Sequence, residues 1–245
     1  MCFHTSIALP LKKTERRFKV KLHDEQLRAQ FSKAQYHLNG FAHPNVLLIP
    51  QEKSNVLAPG IWGIVPQDKL ANEIKAYQKE AVKFGGGLNA RSEKLFEHFV
   101  YRESAMTRRC IIPVSGFFEP HTHKRKKYPF YIHQKNKEPM ALAGIYTVIE
   151  NYVTFAILTK SASPLFEKIH NLKKRQPLIL DEVQTHNWLS SDLTETDVKT
   201  IVGFNFPESQ LEAYSVSKTL FSPKTDSNIE SITDKVVYDE LLSFQ

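Results

Sequence analysis

Cysteine stands second in this chain, directly behind the initiator methionine, in Met1-Cys2-Phe3-His4. Cysteine is small enough to permit methionine removal, which would make Cys2 the N-terminal residue. An α-amine and a thiol would then sit on adjacent carbons. Their ordinary pKa values, about 7.7–8.0 and about 8.5, give both usable nucleophilic fractions near neutral pH. Such a 1,2-aminothiol performs a reaction closed to internal cysteines. The amine condenses with an aldehyde to an imine, and the neighbouring thiolate closes a five-membered thiazolidine ring. The plain alternative is that Cys2 merely begins a first strand.

Three further segments combine polar groups with unusual surroundings. Gly85-Gly86-Gly87-Leu88-Asn89-Ala90-Arg91-Ser92-Glu93 joins three glycines, which permit a tight turn or close backbone approach, to a polar Asn-x-Arg-Ser-Glu cluster. Its bland reading is a glycine helix stop followed by a solvated loop. In Ser115-Gly116-Phe117-Phe118-Glu119-Pro120 a carboxylate follows two aromatics in a strand pattern. Desolvation there raises its pKa and suits a general acid or base, unless Glu119 is an edge residue pointing to water. Ile169-His170-Asn171-Leu172-Lys173-Lys174-Arg175-Gln176-Pro177 opens with a histidine, more often structural than catalytic, but leads into a basic run that could meet phosphate. The run Lys124-Arg125-Lys126-Lys127 reads as a solvated hairpin tip, with DNA-backbone contact as the lesser alternative.

No metal site is expected: there is no Cys-x-x-Cys and no His-x-x-x-His pair carrying a glutamate. No cofactor is expected either, since Gly85-Gly86-Gly87 lacks the spacing of a dinucleotide fingerprint or P-loop.

The elements that must position these groups are legible in part. A polar stretch with spaced apolar residues predicts a helix over 23–36, and strands are expected at 46–49 and 61–65. Asp68 can cap a helix that runs to Phe84 and stops at the glycines, with a short helix after Ala90 through Phe99. From Arg109 the pattern turns to strands, at 110–113, 117–119, 129–132, 141–148 and 152–159. A short helix over 163–170, a strand at 177–180, helices over 181–189 and 195–202 and a strand at 211–216 follow. The tail from Ser222 to Asn228 reads as polar and loose, ahead of a short final helix. Strands that follow one another without intervening helices predict an α+β fold with a largely antiparallel, barrel-like sheet flanked by short helices. One domain is expected over 1–245, with its core at about 2–220.

The 245 residues, 41% hydrophobic and 24% charged, suit a soluble globular protein with a substantial core. Two cysteines, Cys2 and Cys110, make no disulfide framework and point to a reducing, cytoplasmic setting. No apolar run approaches the ~18 residues of a membrane span. Lys plus Arg number 33 against 26 Asp plus Glu, a charge of +7, which suits a polyanion such as nucleic acid. A monomer is the default.

Taken in order, Met-Cys, the Trp62-Gly-apolar-x-Pro strand, Asn89-Ala-Arg91-x-Glu, Arg109-Cys-apolar-apolar-Pro, Gly-aromatic-aromatic-Glu119 and His170 followed by Arg175-x-Pro resemble the SOS-response-associated peptidase (SRAP) family, the abasic-site processing proteins. The resemblance runs from Cys2 to about Ser217. It implies single-stranded DNA containing abasic sites as partner, with nucleoid association when bound. The aldehyde of the ring-opened sugar would be captured as a thiazolidine DNA–protein crosslink, a hydrolase- or lyase-like activity of the DNA-damage response.

By that resemblance Cys2 is the nucleophile. Asn89 orients the linkage, Glu119 serves as acid or base, and His170 assists sugar ring opening, proton transfer and crosslink reversal. Arg91 and Ser92 would meet phosphates, Trp62 would wedge or stack against a base, and Thr159 would line the pocket. Lys173, Lys174 and Arg175 would add basic contacts. Self-processing in this family is taken as removal of Met1.

The chain departs from the family pattern in three places. Phe3-His4 stands for Gly-Arg, Pro120 for Trp, and the His170–Pro177 segment is three residues longer than His-Asp-Arg-Met-Pro. Two other readings stay open. An N-terminal-nucleophile amidohydrolase also begins Met-Cys, although its usual following glycines are absent. A nucleic-acid-binding module without chemistry would be indifferent to loss of Cys2.

Overall fold

Strand follows strand through the middle of the chain because its turns are too short to admit helices. The computed structural model describes Cys2 to Phe244. A five-stranded antiparallel sheet runs in the order Leu211–Ser215, Lys126–Gln134, Gly116–His123, His4–Ile7, Gln35–Asn39. In a second sheet Tyr152–Ser161, Met140–Ile149, Arg109–Val114, Asn45–Pro50 and Val56–Trp62 are neighbours in turn. A parallel pairing of Thr154 with Ile61 and Phe155 with Trp62 closes these five into a barrel. Asn89–Arg91 adds to Tyr152–Ser161 in parallel, and Arg175–Pro177 in antiparallel register. The fold is thus α+β, mostly antiparallel and barrel-cored, as expected.

Short helices terminate as their sequences require. Pro164 opens Pro164–Ile169 at a position where its missing N–H costs nothing. Asp181 caps Glu182–Trp188 by accepting from Gln184 N at 2.7 Å. Ile74–Ala81 continues through a 3-10 turn, Val82–Phe84, and ends at Gly85, whose φ of 94° suits a residue without a side chain.

One apolar cluster holds Cys2, Trp62, Leu88, Phe117, Phe155, Ile157, Phe166 and Ile169, so it joins both sheets to the helix ahead of His170. A second fills the barrel's other side beneath the helices and includes Leu57, Ile111, Ile145, Leu158 and Trp188. Burial of one such large side chain contributes about 1.5–3 kcal/mol.

Tertiary pairing overrides three local expectations. The helix predicted over 23–36 is reduced to a 3-10 turn, Glu25–Leu27, and one α-turn, Arg28–Phe31, because Gln35–Asn39 is drawn alongside His4–Ile7. The helix predicted after Ala90 is only the turn Ser92–Lys94, since Asn89–Arg91 pairs with Ile157–Thr159. The tail predicted as loose is tied down: Asn228 Oδ1 accepts from Tyr36 N at 2.8 Å and His37 N at 3.2 Å, completing the edge of the Gln35–Asn39 strand. Helices Leu11–Phe18 and Arg102–Thr107 were not foreseen.

Arg109 braces the helical side. Its fully buried guanidinium donates to the carbonyls of Trp188 and Ala105 at 2.8 Å, Met106 at 2.6 Å, and Ser190. Truncation would leave buried carbonyls without donors, so Arg109→Ala should lose about 3–5 kcal/mol of stability in urea denaturation. A loss below about 1 kcal/mol would show that water replaces the guanidinium.

Candidate functional site

The first strand is fenced on both sides. His4, Thr5 and Ser6 pair with Phe118, Phe117 and Gly116, while His4 and Thr5 pair with Asn39 and Leu38. Ser115 fixes its exit: the Oγ accepts from Ala8 N at 2.8 Å and Leu9 N at 2.9 Å. Continued by two residues, the register with Gly116–His123 brings Cys2 to the level of Glu119 and Pro120. Cys2 is wholly buried there, its Sγ 4.0 Å from the His4 carbonyl. Burial, then the Glu119 charge, raises the thiol pKa well above its usual value.

Glu119 is fully buried, with Oε2 3.1 Å from His170 Nδ1. Burial raises its pKa to about 7 against the opposing charge of the amino terminus. His170 follows the Pro164–Ile169 helix, and its Nδ1 also lies 3.1 Å from the Arg175 carbonyl. A proton on Nδ1 leaves Nε2 as the basic nitrogen. Burial foremost, with help from the amino-terminal charge, lowers the His170 pKa to about 4.

Asn89 arrives from the other sheet. Leu88, just ahead of it, offers its carbonyl to Trp62 Nε1 at 2.9 Å and Ile157 N at 3.1 Å. The Asn89 Nδ2 and Oδ1 are both buried without a hydrogen-bond partner among the described residues. Such a buried amide costs about 1–3 kcal/mol unless something engages it, which marks it for a ligand.

A cleft of about 420 Å³ opens over this end of the strand, lined by Phe3, His4, Phe41, Pro120, His170 and Lys173, among others. Phe3 and Phe41 rings lie 4.9 Å apart. Gly40 makes that possible: a Cβ there would stand 3.0 Å from Leu88 Cδ1 and 3.2 Å from the Phe3 carbonyl. Lys124 and Arg125 take the positive-φ positions of a hairpin tip, and Lys127 just beyond reaches the cleft.

Not every residue singled out in the sequence faces this cleft. Trp62 is 1% exposed and stacks on Phe155, so its indole supports the Asn89 strand and offers no free face to a base. Arg175 is buried, with its guanidinium on the Glu93 carboxylate and the Thr159 carbonyl and hydroxyl, at 2.7 and 3.2 Å for the latter two. Thr159 is correspondingly buried and engaged. Lys174 is exposed beside Glu167 at 3.9 Å, and Arg91 is 59% exposed next to Asn89, with Ser92 following. Phe3, Phe41 and Leu172 were not singled out, because only the strand pairing and the Gly40 turn bring them to the mouth. Met1 lies outside the described residues.

The profile of the SOS response associated peptidase (SRAP) family matches residues 1–223. The chain belongs to the SRAP family. It is 29% identical over 213 residues to the abasic site processing protein YoqW of Bacillus subtilis, covering 81% of this chain and 90% of YoqW. It is 30% identical over 210 residues to the abasic site processing protein YobE of the same organism, covering 80% and 90%. A crystal structure of a Bacteroides thetaiotaomicron protein superimposes with a TM-score of 0.83 at 26% identity, covering 96% of this chain and all of that one. In this SRAP chain Cys2, Glu119 and His170 lie together, and Asn89 follows Leu88, which shares an apolar cluster with Cys2.

The Glu119 carboxyl gives the native state an extra proton between its ordinary value of 4.5 and about 7. Its stabilising contribution is full below that window and falls as pH rises through it. Glu119→Gln has no such proton to lose. Its stability relative to the unsubstituted chain should increase by about 1–3 kcal/mol from about pH 5 to about pH 8 in urea melts. A pH-independent difference would show a carboxyl ionised and solvated throughout.

Proposed function

We propose that this protein binds single-stranded DNA and captures abasic sites as a covalent thiazolidine at Cys2, once Met1 has been removed. The observation that carries this reading is the burial of Cys2 beside Glu119 and His170 beneath a cleft of aromatic and basic side chains. The names of its relatives, abasic site processing proteins, point to the same substrate.

His170 Nε2 and Glu119 suit ring opening of the sugar hemiacetal, one accepting the anomeric hydroxyl proton while the other protonates the ring oxygen. The Cys2 amine adds to the released aldehyde carbon. Glu119, whose carboxyl pKa is raised by burial, can protonate the carbinolamine hydroxyl, which leaves as water and yields an iminium. The thiol, held protonated at rest by burial and the Glu119 charge, becomes acidic beside the new cation. Its thiolate closes the C–S bond while the nitrogen keeps one hydrogen. The amine therefore acts before the thiol. Asn89 supplies an unengaged amide that can hydrogen-bond the linkage.

Phe3 and Phe41 offer stacking surfaces that accept any base, at about 1–3 kcal/mol per base. Lys127, Lys173 and Arg91 give salt-dependent, sequence-independent phosphate contacts. A lesion handler needs that indifference to sequence.

The decisive experiment mixes protein of verified N-terminus with single-stranded DNA bearing one abasic site, then heats the mixture in denaturant and resolves it on a gel. A covalent band lost in Cys2→Ala, with the mass of condensation at Cys2, is expected. Cys2→Ser should still bind DNA but give no heat-stable adduct. Absence of any adduct from protein with a free Cys2 would leave a binding module without chemistry. In a separate titration, Arg91→Ala should reduce the slope of log K against log salt by about 1. An unchanged slope would remove Arg91 from the phosphate contacts.

A further inference from the structure

The strand that carries Cys2 carries a second ionisable group that the capture chemistry above leaves unused. His4 lines the Cys2 cleft with His170 and Lys173. It also lines a separate cavity of about 450 Å³ together with His37, Asp226 and Ser227. Phe221 belongs to both linings, with its ring 5.5 Å from that of His4. His4 and Phe221 therefore form the partition between the two spaces.

A hydrogen-bonded chain crosses that partition. His4 Nδ1 lies 2.9 Å from His37 Nε2, and His37 Nδ1 lies 2.6 Å from Ser227 Oγ. A neutral imidazole has one donor and one acceptor nitrogen. If His4 Nδ1 donates, His37 Nε2 accepts and His37 Nδ1 must donate to Ser227; in the opposite polarity every bond reverses together. Either way both rings are linked in series, and the His4 nitrogen that His37 does not take, Nε2, is left for the cleft. The rings rest neutral. Burial, followed by the neighbouring His37, brings His4 to about 3; burial brings His37 to about 4, with Asp226 acting in the opposite sense. Phe118, edge-on to His37 at 5.7 Å, closes the apolar side. Ser227 lies beyond residue 223, where the family match stops.

Capture of an aldehyde by an ammonium releases a proton. R–NH₃⁺, R′–CHO and the thiol become thiazolidine, one water and one H⁺. A DNA strand bound over the cleft, as the capture reading requires, would cover the direct way to solvent. We propose that His4, His37 and Ser227 form a proton exit, along which the proton released at Cys2 passes to water in the second cavity. His4 Nε2 takes the proton as Nδ1 hands its own to His37 Nε2. His37 Nδ1 hands its proton to Ser227 Oγ, whose hydroxyl proton goes to water. One proton moves, and nothing is oxidised or reduced. His4 and His37 are then positioning and relay groups that do not touch the reacting carbon. This inference rests on the capture reading above.

The test follows the rate of adduct formation in the full-length protein, with His37→Ala, His37→Gln and Ser227→Ala compared at several buffer concentrations and with added imidazole. His37→Gln keeps the hydrogen-bonding reach but cannot pass a proton on, so it separates relay from fold. His37→Ala and His37→Gln should each slow capture about tenfold or more, with the final yield and the affinity for undamaged single-stranded DNA unchanged. Imidazole should restore the His37→Ala rate through the second cavity, and that rate should rise with buffer concentration while the unsubstituted protein's does not. Ser227→Ala should be slowed less than either, because water can stand in for the hydroxyl. Wild-type rates in both His37 variants would overturn the relay and leave the capture reading intact. A slowed rate indifferent to imidazole and buffer would also overturn it, showing a structural role. Absence of any adduct from the unsubstituted protein would defeat the capture reading, and the relay with it.

Discussion

Everything chemical in this molecule depends on one antiparallel pairing, that of His4–Ile7 with Gly116–His123. A chain terminus ordinarily frays, because it has neighbours on one side only. Here the strand that follows Cys2 is interior to its sheet, with Gln35–Asn39 on its other flank. Residue 2 consequently inherits the rigidity of a sheet interior. A one-residue slip would send every side chain of the strand to the opposite face, so the register that buries Thr5 and Ser6 also decides what Cys2 meets. Ser115 adds a pin at the far end by holding the amides of Ala8 and Leu9.

That pairing concentrates polar groups where the medium is poorest in water. Glu119, His170 and the Asn89 amide all lie buried at the edge of an apolar cluster. The same low polarity that shifts the carboxyl up and the imidazole down also strengthens each hydrogen bond made there. Such clusters are costly to a fold and are characteristic of functional sites. The two sheets share the work. One supplies Cys2 and Glu119, the other supplies Asn89, and the short helix before His170 spans the gap between them.

The sequence was most legible where local chemistry alone decides. Asp181 as a helix cap, Gly85 as a helix stop and the consecutive strands from Arg109 onward follow from turn residues and β-branched or aromatic runs. Glu119 behind two phenylalanines allowed either a desolvated carboxyl or an edge residue facing water, and only its burial between strands decides for the former. Long-range pairing was illegible. Nothing in Gln35–Asn39 signals that it must lie against a strand some thirty residues earlier, and its polar, helix-like run-up points the other way. Trp62 illustrates the same gap at the site. An indole beside a glycine reads equally well as an exposed stacking surface or as a core buttress, and only the barrel closure through Phe155 decides for the latter. Arg175 is similar, since the partner that holds its buried guanidinium, Glu93, lies 82 residues away.

Asn228 and Ser227, which hold the strand beside His4–Ile7, have a consequence for the order of events during synthesis. During synthesis His4–Ile7 must wait for Gly116–His123, made more than a hundred residues later, and for Ser227 and Asn228, made later still. Until then the His4–Ile7 strand lacks its partners and Cys2 stays open to solvent. Once the strand is zipped between its neighbours Cys2 is entirely shielded. The late-arriving tail sets the moment at which that window shuts.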